Sequence, residues 1–152
     1  MKNAIIIIFI LLSSYSAICQ KGLTETQVVT LTILGEARGE GKAGMYAVSC
    51  VISQRIIKRK LTANEVCLES KVNKRGVRVW QFSSWGGKVD YNLLKTKEAL
   101  YASALAANIK SVDRKFVKNA DHYCTLNTHN YWTKTSKPVI TIGRHKFYKL
   151  RP

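Results

Sequence analysis

Hydrophobic positions between residues 25 and 58 recur at helical spacing, with one interruption. Thr24 followed three residues later by Gln27 has the form of a capping box, and Val28, Leu31 and Leu34 continue on one face. A first helix over 25–37 is the prediction. Gly39, Gly41 and Gly44 in RGEGKAG stop it near Arg38 and impose a short turn. Met45, Val48, Val51, Ile52, Arg55 and Ile56 then predict a second helix over 42–58, apolar on most faces. It closes in Lys58-Arg59-Lys60, where cations suit a helix C-terminus. A short third helix over 61–69, capped by Thr62 or Asn64, follows.

The stretch KVNKRGVRVWQFSSWGG is polar and basic, and its aromatics keep no helical period. It predicts a loop around a short extended piece at 80–83, closed by a turn at Gly86-Gly87. An alanine-rich helix over 94–109 carries Ala102, Leu105 and Ala106 on one side. Beyond it the period shortens to two. HYCTL and NYWTK predict short strands, and PVITIGRHKFYKL predicts a hairpin about Gly143-Arg144 with Ile140, Ile142, Phe147 and Leu150 inward. Helices first and strands last, with no internal repeat, define an α+β single domain: a helical lobe plus a small lobe of short antiparallel strands. The 152 residues, 46% hydrophobic with two prolines, are enough for one such domain and argue against disorder.

The first residues differ in kind. Lys2 and Asn3 form a short positive region, residues 4–12 are apolar, and residues 13–19 are smaller and more polar. Residues 1–19 therefore read as a signal peptide cut before Gln20, leaving 20–152 as the mature domain, exported to the periplasm, envelope or exterior. The apolar run is too short to span a bilayer comfortably. Acylation at Cys19 is disfavoured by the bulky Ile18 before it.

Formal charge is +16, or +15 once Lys2 leaves with the leader. Such a balance calls for a polyanionic surface. Inside a cell that would be nucleic acid, but export points instead to the wall, its attached polymers and lipid headgroups. Charge of this kind supplies attraction, not a reaction. Cleavage also leaves three cysteines, Cys50, Cys67 and Cys124, with no C-x-x-C pair. They permit at most one internal disulfide, in any of three pairings. In VSCVI, Cys50 reads as a small buried hydrophobe.

The chemistry-bearing stretch is LGEARGE, residues 34–40, with Glu36 and Glu40 four positions apart. Because the glycines end the helix, the two carboxylates need not stack on one face. Glu36 falls in the last turn of an apolar helix, where the dipole disfavours negative charge and Ile33, Leu34 and Ala37 lower the dielectric. Both effects favour a retained proton, which is what protonating a glycosidic oxygen requires. An ion pair with Arg38 at the helix end is the structural alternative. Glu40 is the candidate for a second acid, with pairing to Arg38 or capping of the second helix as its structural alternatives.

LGEARGEGKAGMYAVSCVISQRI resembles the opening block of the SleB-type cell wall hydrolases, the spore-cortex-lytic enzyme family. In that block a G-E-A-R-G-E signature is followed by an apolar helix ending near Gln54-Arg55. QFSSW at 81–85, ADHYCTLNTHNYWTK and IGRHKFYK are similar to further family blocks in the same order, together spanning about 31–149. Tyr131 and Thr133 depart from the family pattern around Trp132, and Ser84-Trp85-Gly86-Gly87 departs from its usual acidic turn. The resemblance implies a lysozyme-like fold that cleaves peptidoglycan between N-acetylmuramic acid and N-acetylglucosamine, with Glu36 as the catalytic acid. It further implies a lytic transglycosylase, which needs one carboxyl and neither metal nor other cofactor. Its partners would be glycan strands rather than nucleic acid.

Substrate-binding candidates are Gln81, Phe82 and Ser83, by amide, ring and hydroxyl, and His122, Tyr123 and Trp132, suited to stacking on pyranose rings. Loop packing and core aromatics are the corresponding structural alternatives. His122, His129 and His145 fit no helix-borne metal motif. Two other functions fit parts of the sequence: a secreted cationic wall-binding protein without catalysis, and a wall amidase using Cys124 with His122 or His129.

Overall fold

A computed structural model describes residues 22–150, so the expected signal peptide and its cleavage point lie outside the described residues. The capping box at Thr24 forms: its hydroxyl accepts from the Gln27 N–H at 3.2 Å, and Gln27 Oε1 accepts from the Thr24 N–H at 2.8 Å. Helix α1, Glu25–Ala37, follows. Every residue from Val28 to Leu34 is buried, so α1 is the central rod of the domain rather than an amphipathic surface helix. Its two buried threonines return their hydroxyls to carbonyls one turn back, Thr30 to Thr26 at 2.7 Å and Thr32 to Val28 at 2.8 Å.

A 3-10 turn, Arg38–Glu40, ends α1 and Gly41 leaves it at φ +66°, a left-handed value that favours glycine. Helix α2, Gly41–Arg59, packs on α1, buries Met45, Ala47, Val48, Val51 and Ile52 in the core and ends at left-handed Lys60. Short helix α3, Ala63–Cys67, has a second capping box between Thr62 and Glu65. Helix α4, Lys97–Ala107, packs along α1 with Ala99, Ala102, Leu105 and Ala106 buried. The single helix expected over 94–109 is divided: 3-10 turns Tyr91–Lys95 and Ile109–Ser111 flank α4, the first separated from it at Thr96.

Two antiparallel sheets complete the α+β, lysozyme-like layout. Strands β1, Ser70–Val72, and β2, Arg78–Trp80, form a hairpin where a loop was expected. Residues 71–79 are all exposed, so the alternation of burial that betrays a strand is missing there. Its turn is built by Asn73, whose side-chain oxygen accepts from the N–H groups of Arg75 and Val77. The other sheet runs β3-β5-β4, with β3 His122–Thr125, β4 Ile140–Ile142 and β5 His145–Tyr148. Phe147 is fully buried as expected, while Ile140, Ile142 and Leu150 are half-buried.

The strand expected at NYWTK is instead a 3-10 turn, Tyr131–Lys134. Thr133 returns its hydroxyl to the Asn130 carbonyl at 2.7 Å, a local bond that competes with ladder formation. The edge of this small lobe is pinned to α2 through Asp121. Burial pushes the Asp121 carboxyl up, but bonds from His122, Lys58 and the Leu150 N–H outweigh it and hold the carboxyl well below the usual range.

Candidate active site

Glu36 lies in the last turn of α1, and its surroundings are set by its neighbour. A Cβ on Gly35 would stand 2.4 Å from the Ser84 Cβ, so only glycine lets the 83–85 segment cross the helix this closely. That segment is anchored by buried Trp85, whose indole N–H donates to the Thr32 hydroxyl at 2.9 Å. The close crossing brings the Ser84 N–H to Glu36 Oε1 at 2.8 Å and the Ser83 hydroxyl to the same oxygen at 3.1 Å. From the opposite side β3 delivers Tyr123, whose hydroxyl donates to Glu36 Oε2 at 2.8 Å.

The carboxyl is thus bracketed by three neutral donors rather than seated in the apolar surroundings expected from Ile33, Leu34 and Ala37. Those three residues are buried in the core, with Leu34 and Ala37 also bordering the larger hollow. No cation pairs with Glu36 among the described residues.

Glu40 has a different fate. It makes neither of the contacts expected of it, because Arg144 claims both oxygens: the backbone N–H donates to Oε2 at 2.8 Å and Nε to Oε1 at 2.7 Å. These bonds hold the Glu40 carboxyl below its ordinary value. Gly143 makes the approach possible. Its φ is +55°, and a Cβ there would stand 2.2 Å from Glu40 Oε2. The pair locks the β4-β5 turn onto the turn between α1 and α2.

Two hollows meet at Glu36. The larger, about 500 Å³, runs along residues 34–40 and is faced by Thr125, Asn127, Arg144 and His145. The smaller, about 300 Å³, lies toward Trp80, Gln81, Tyr123, Asn130 and Arg55. They share Gly35, Glu36, Thr125 and His145, so the carboxyl stands at their junction. An extended ligand running through both would pass its middle over Glu36. Among the residues bordering either hollow, Glu36 and Glu40 are the acids, and Glu40 is engaged by Arg144.

Of the residues singled out from sequence, Ser83 and Tyr123 hold Glu36, and Gln81 is exposed on the rim of the smaller hollow. Phe82 is fully buried, which corrects the expectation that its ring packs on a sugar. Its face is instead taken by the Arg55 guanidinium, 5.1 Å from the ring centroid. His122 and Trp132 border neither hollow: His122 Nδ1 pairs with Asp121 at 2.9 Å, and Trp132 packs edge-on against His122 and Tyr148.

Sequence reading passed over Ser84, Arg55 and His145 as site residues. A cation inside the apolar run VISQRI was the available signal for Arg55, which is 3% exposed. His145 had no comparable signal, because its neighbourhood is assembled by β5 pairing with β3 and β4. Burial lowers the His145 imidazole below its ordinary value, against the pull of Glu40 and Glu36.

All three described cysteines are free and buried. Burial pushes the Cys50 and Cys67 thiols up to about 12, which leaves them inert as nucleophiles. Cys124 directs its Sγ toward the Thr128 carbonyl at 3.9 Å.

A carboxyl group held at the junction of two open hollows by neutral donors is the candidate active site. The sequence profile of the cell wall hydrolase family matches residues 39–148, most of the chain, and the protein belongs to that family of enzymes acting on cell wall peptidoglycan. The matched span contains Glu40, Arg55, Tyr123 and His145 and begins three residues after Glu36. No curated protein and no solved structure matches the chain.

Proposed function

We propose that this is an exported, SleB-type lytic transglycosylase that breaks the bond between N-acetylmuramic acid and N-acetylglucosamine, with Glu36 as its single catalytic carboxyl. The observation that carries the reading is the isolation of Glu36: it borders both hollows without a cation, while the other acid of the cleft is tied to Arg144.

In the first step Glu36 gives its proton to the glycosidic oxygen, and the bond from that oxygen to the muramoyl C1 breaks. The Tyr123 hydroxyl, the Ser83 hydroxyl and the Ser84 N–H receive the negative charge left on Glu36, at 2.8, 3.1 and 2.8 Å. In the second step the Glu36 carboxylate takes the proton of the muramoyl 6-hydroxyl, whose oxygen closes on C1 as an anhydro ring. The acid is regenerated and no water is consumed. Water as nucleophile would call for a second carboxyl to activate it or to form a covalent intermediate, and Glu40 in its ion pair is poorly placed for either role.

Gln81 on the rim is suited to acetamido groups. The strong positive charge favours retention on an anionic wall. Mass spectrometry of muropeptides released from purified sacculi tests the reading. Anhydro-muramoyl ends are expected. Reducing muramoyl ends would make the enzyme a hydrolase, and freed stem peptides with intact glycan would make it an amidase.

A further inference from the structure

Four buried side-chain polar atoms have no hydrogen-bond partner among the described residues: Arg55 Nη1, Asn64 Oδ1, Ser84 Oγ and His145 Nδ1. Buried polar groups are satisfied in the great majority of cases, so a cluster of exceptions in one place needs a cause. Arg55 and His145 both border the smaller hollow, and Ser84 supplies the backbone N–H that holds Glu36 beside it. Two of the four, Arg55 and His145, thus border one space.

Arg55 is the unusual member. Its Nε donates to the Asp121 backbone carbonyl at 2.7 Å and its guanidinium carbon lies over the Phe82 ring, yet among the described residues no carboxylate pairs with it. The nearby Asp121 carboxyl is already taken by Lys58, His122 and the Leu150 N–H. A guanidinium buried without a counter-charge is costly, even though it stays protonated. Burial, with a smaller push from Arg59, pulls it below its ordinary value against the attraction of Tyr123, Glu69 and Asp121. A donor fork of this kind matches a carboxylate geometrically. The remaining lining suits the same guest: Gln81, Thr128 and Asn130 offer neutral donors around the rim.

We infer that the smaller hollow is a subsite for a carboxylate of the substrate, with Arg55 as its counter-charge, and that the enzyme prefers glycan whose muramoyl lactyl group ends in a free acid. The inference rests on the proposed glycan substrate. In strands that still carry stem peptides that carboxyl is an amide and brings no charge. Glycan already stripped by an amidase-type reaction would present it free, so a peptide-removing step would precede this enzyme.

The test compares binding of the disaccharide of N-acetylglucosamine and N-acetylmuramic acid to the full chain, with the lactyl carboxyl free or methyl-esterified. The free acid is expected to bind about tenfold more tightly, the scale of one charge-assisted hydrogen bond over a neutral one. Arg55→Met is expected to bring the ratio to about one. If that variant does not fold, Arg55→Lys and the wild-type acid-to-ester ratio still decide. Equal binding of acid and ester by the wild-type chain, or binding of neither, overturns the inference. Glycan cleavage with no acid preference would overturn the subsite while leaving the proposed reaction standing. A clear acid preference without cleavage would do the reverse.

Discussion

The Tyr123 hydroxyl donates to Glu36 Oε2 at 2.8 Å, joining the first helix to the first strand of the small lobe across 87 positions of sequence. One bond therefore couples the docking of the two lobes to the orientation of the carboxyl. Tyr123→Phe removes the donor and little else. Stability should fall by about 1 kcal/mol, and the rate of glycan cleavage by roughly tenfold or more as the second oxygen loses its charge-accepting partner. Denaturant unfolding and turnover on sacculi check both; an unchanged rate would show that the tyrosine serves packing alone.

Gly35 should be intolerant of even one methyl group. With Ser84 Cβ at 2.4 Å from the added carbon, Gly35→Ala must push the 83–85 segment away and lengthen the Ser84 bond to Glu36. A destabilisation of about 1–3 kcal/mol is expected, the usual range for overpacking, together with loss of activity. A Gly35→Ala protein with wild-type thermal stability would mean that the crossing is loose.

Glu40 and Arg144 should behave as a structural pair. The Glu40 side chain is 7% exposed but that of Arg144 is 76% exposed, so solvent screens the attraction. Glu40→Gln should cost about 1 kcal/mol and lower turnover only partly, by loosening the β4-β5 turn. The same fall in rate for Glu40→Gln as for Glu36→Gln would make Glu40 a second chemical acid.

Most of the helical lobe was legible in the chain because its devices are local. The capping box at Thr24, the glycines after Ala37 and the cations at Lys58 and Arg59 each act within a few residues, and the helices begin and end accordingly. The position of Glu36 in the last turn of an apolar helix was legible for the same reason. The β1-β2 hairpin was not, because exposed Val72, Val77 and Val79 carry no burial signal. Trp132 misled, since an aromatic between Tyr131 and Thr133 reads as a strand whether or not a neighbour exists to pair with it. Arg55 and His145 acquire their places from contacts more than sixty residues away or across the sheet, which no local pattern records.

His145 should leave a mark on the pH dependence of stability. Burial depresses its folded value below the ordinary 6.5; Glu36 and Glu40 oppose the shift, Arg144 adds to it, and Tyr123 packs edge-on against the ring. The unfolded chain then binds the proton more readily than the folded one. Stability should be at its full value above pH 6.5 and decline as pH falls through 6.5 toward the folded value. His145→Gln should flatten that slope. Thermal unfolding between pH 5 and 8 measures it, and identical slopes in the two proteins would show that the ring titrates normally.

The most direct test compares wild-type protein and Glu36→Gln on the same purified sacculi. The substitution keeps the shape and every positive charge while removing one negative charge, so binding to sacculi should persist, while release of glycan fragments should fall by about a thousandfold, within the range for loss of a general acid. Release by Glu36→Gln at the wild-type rate would contradict the account.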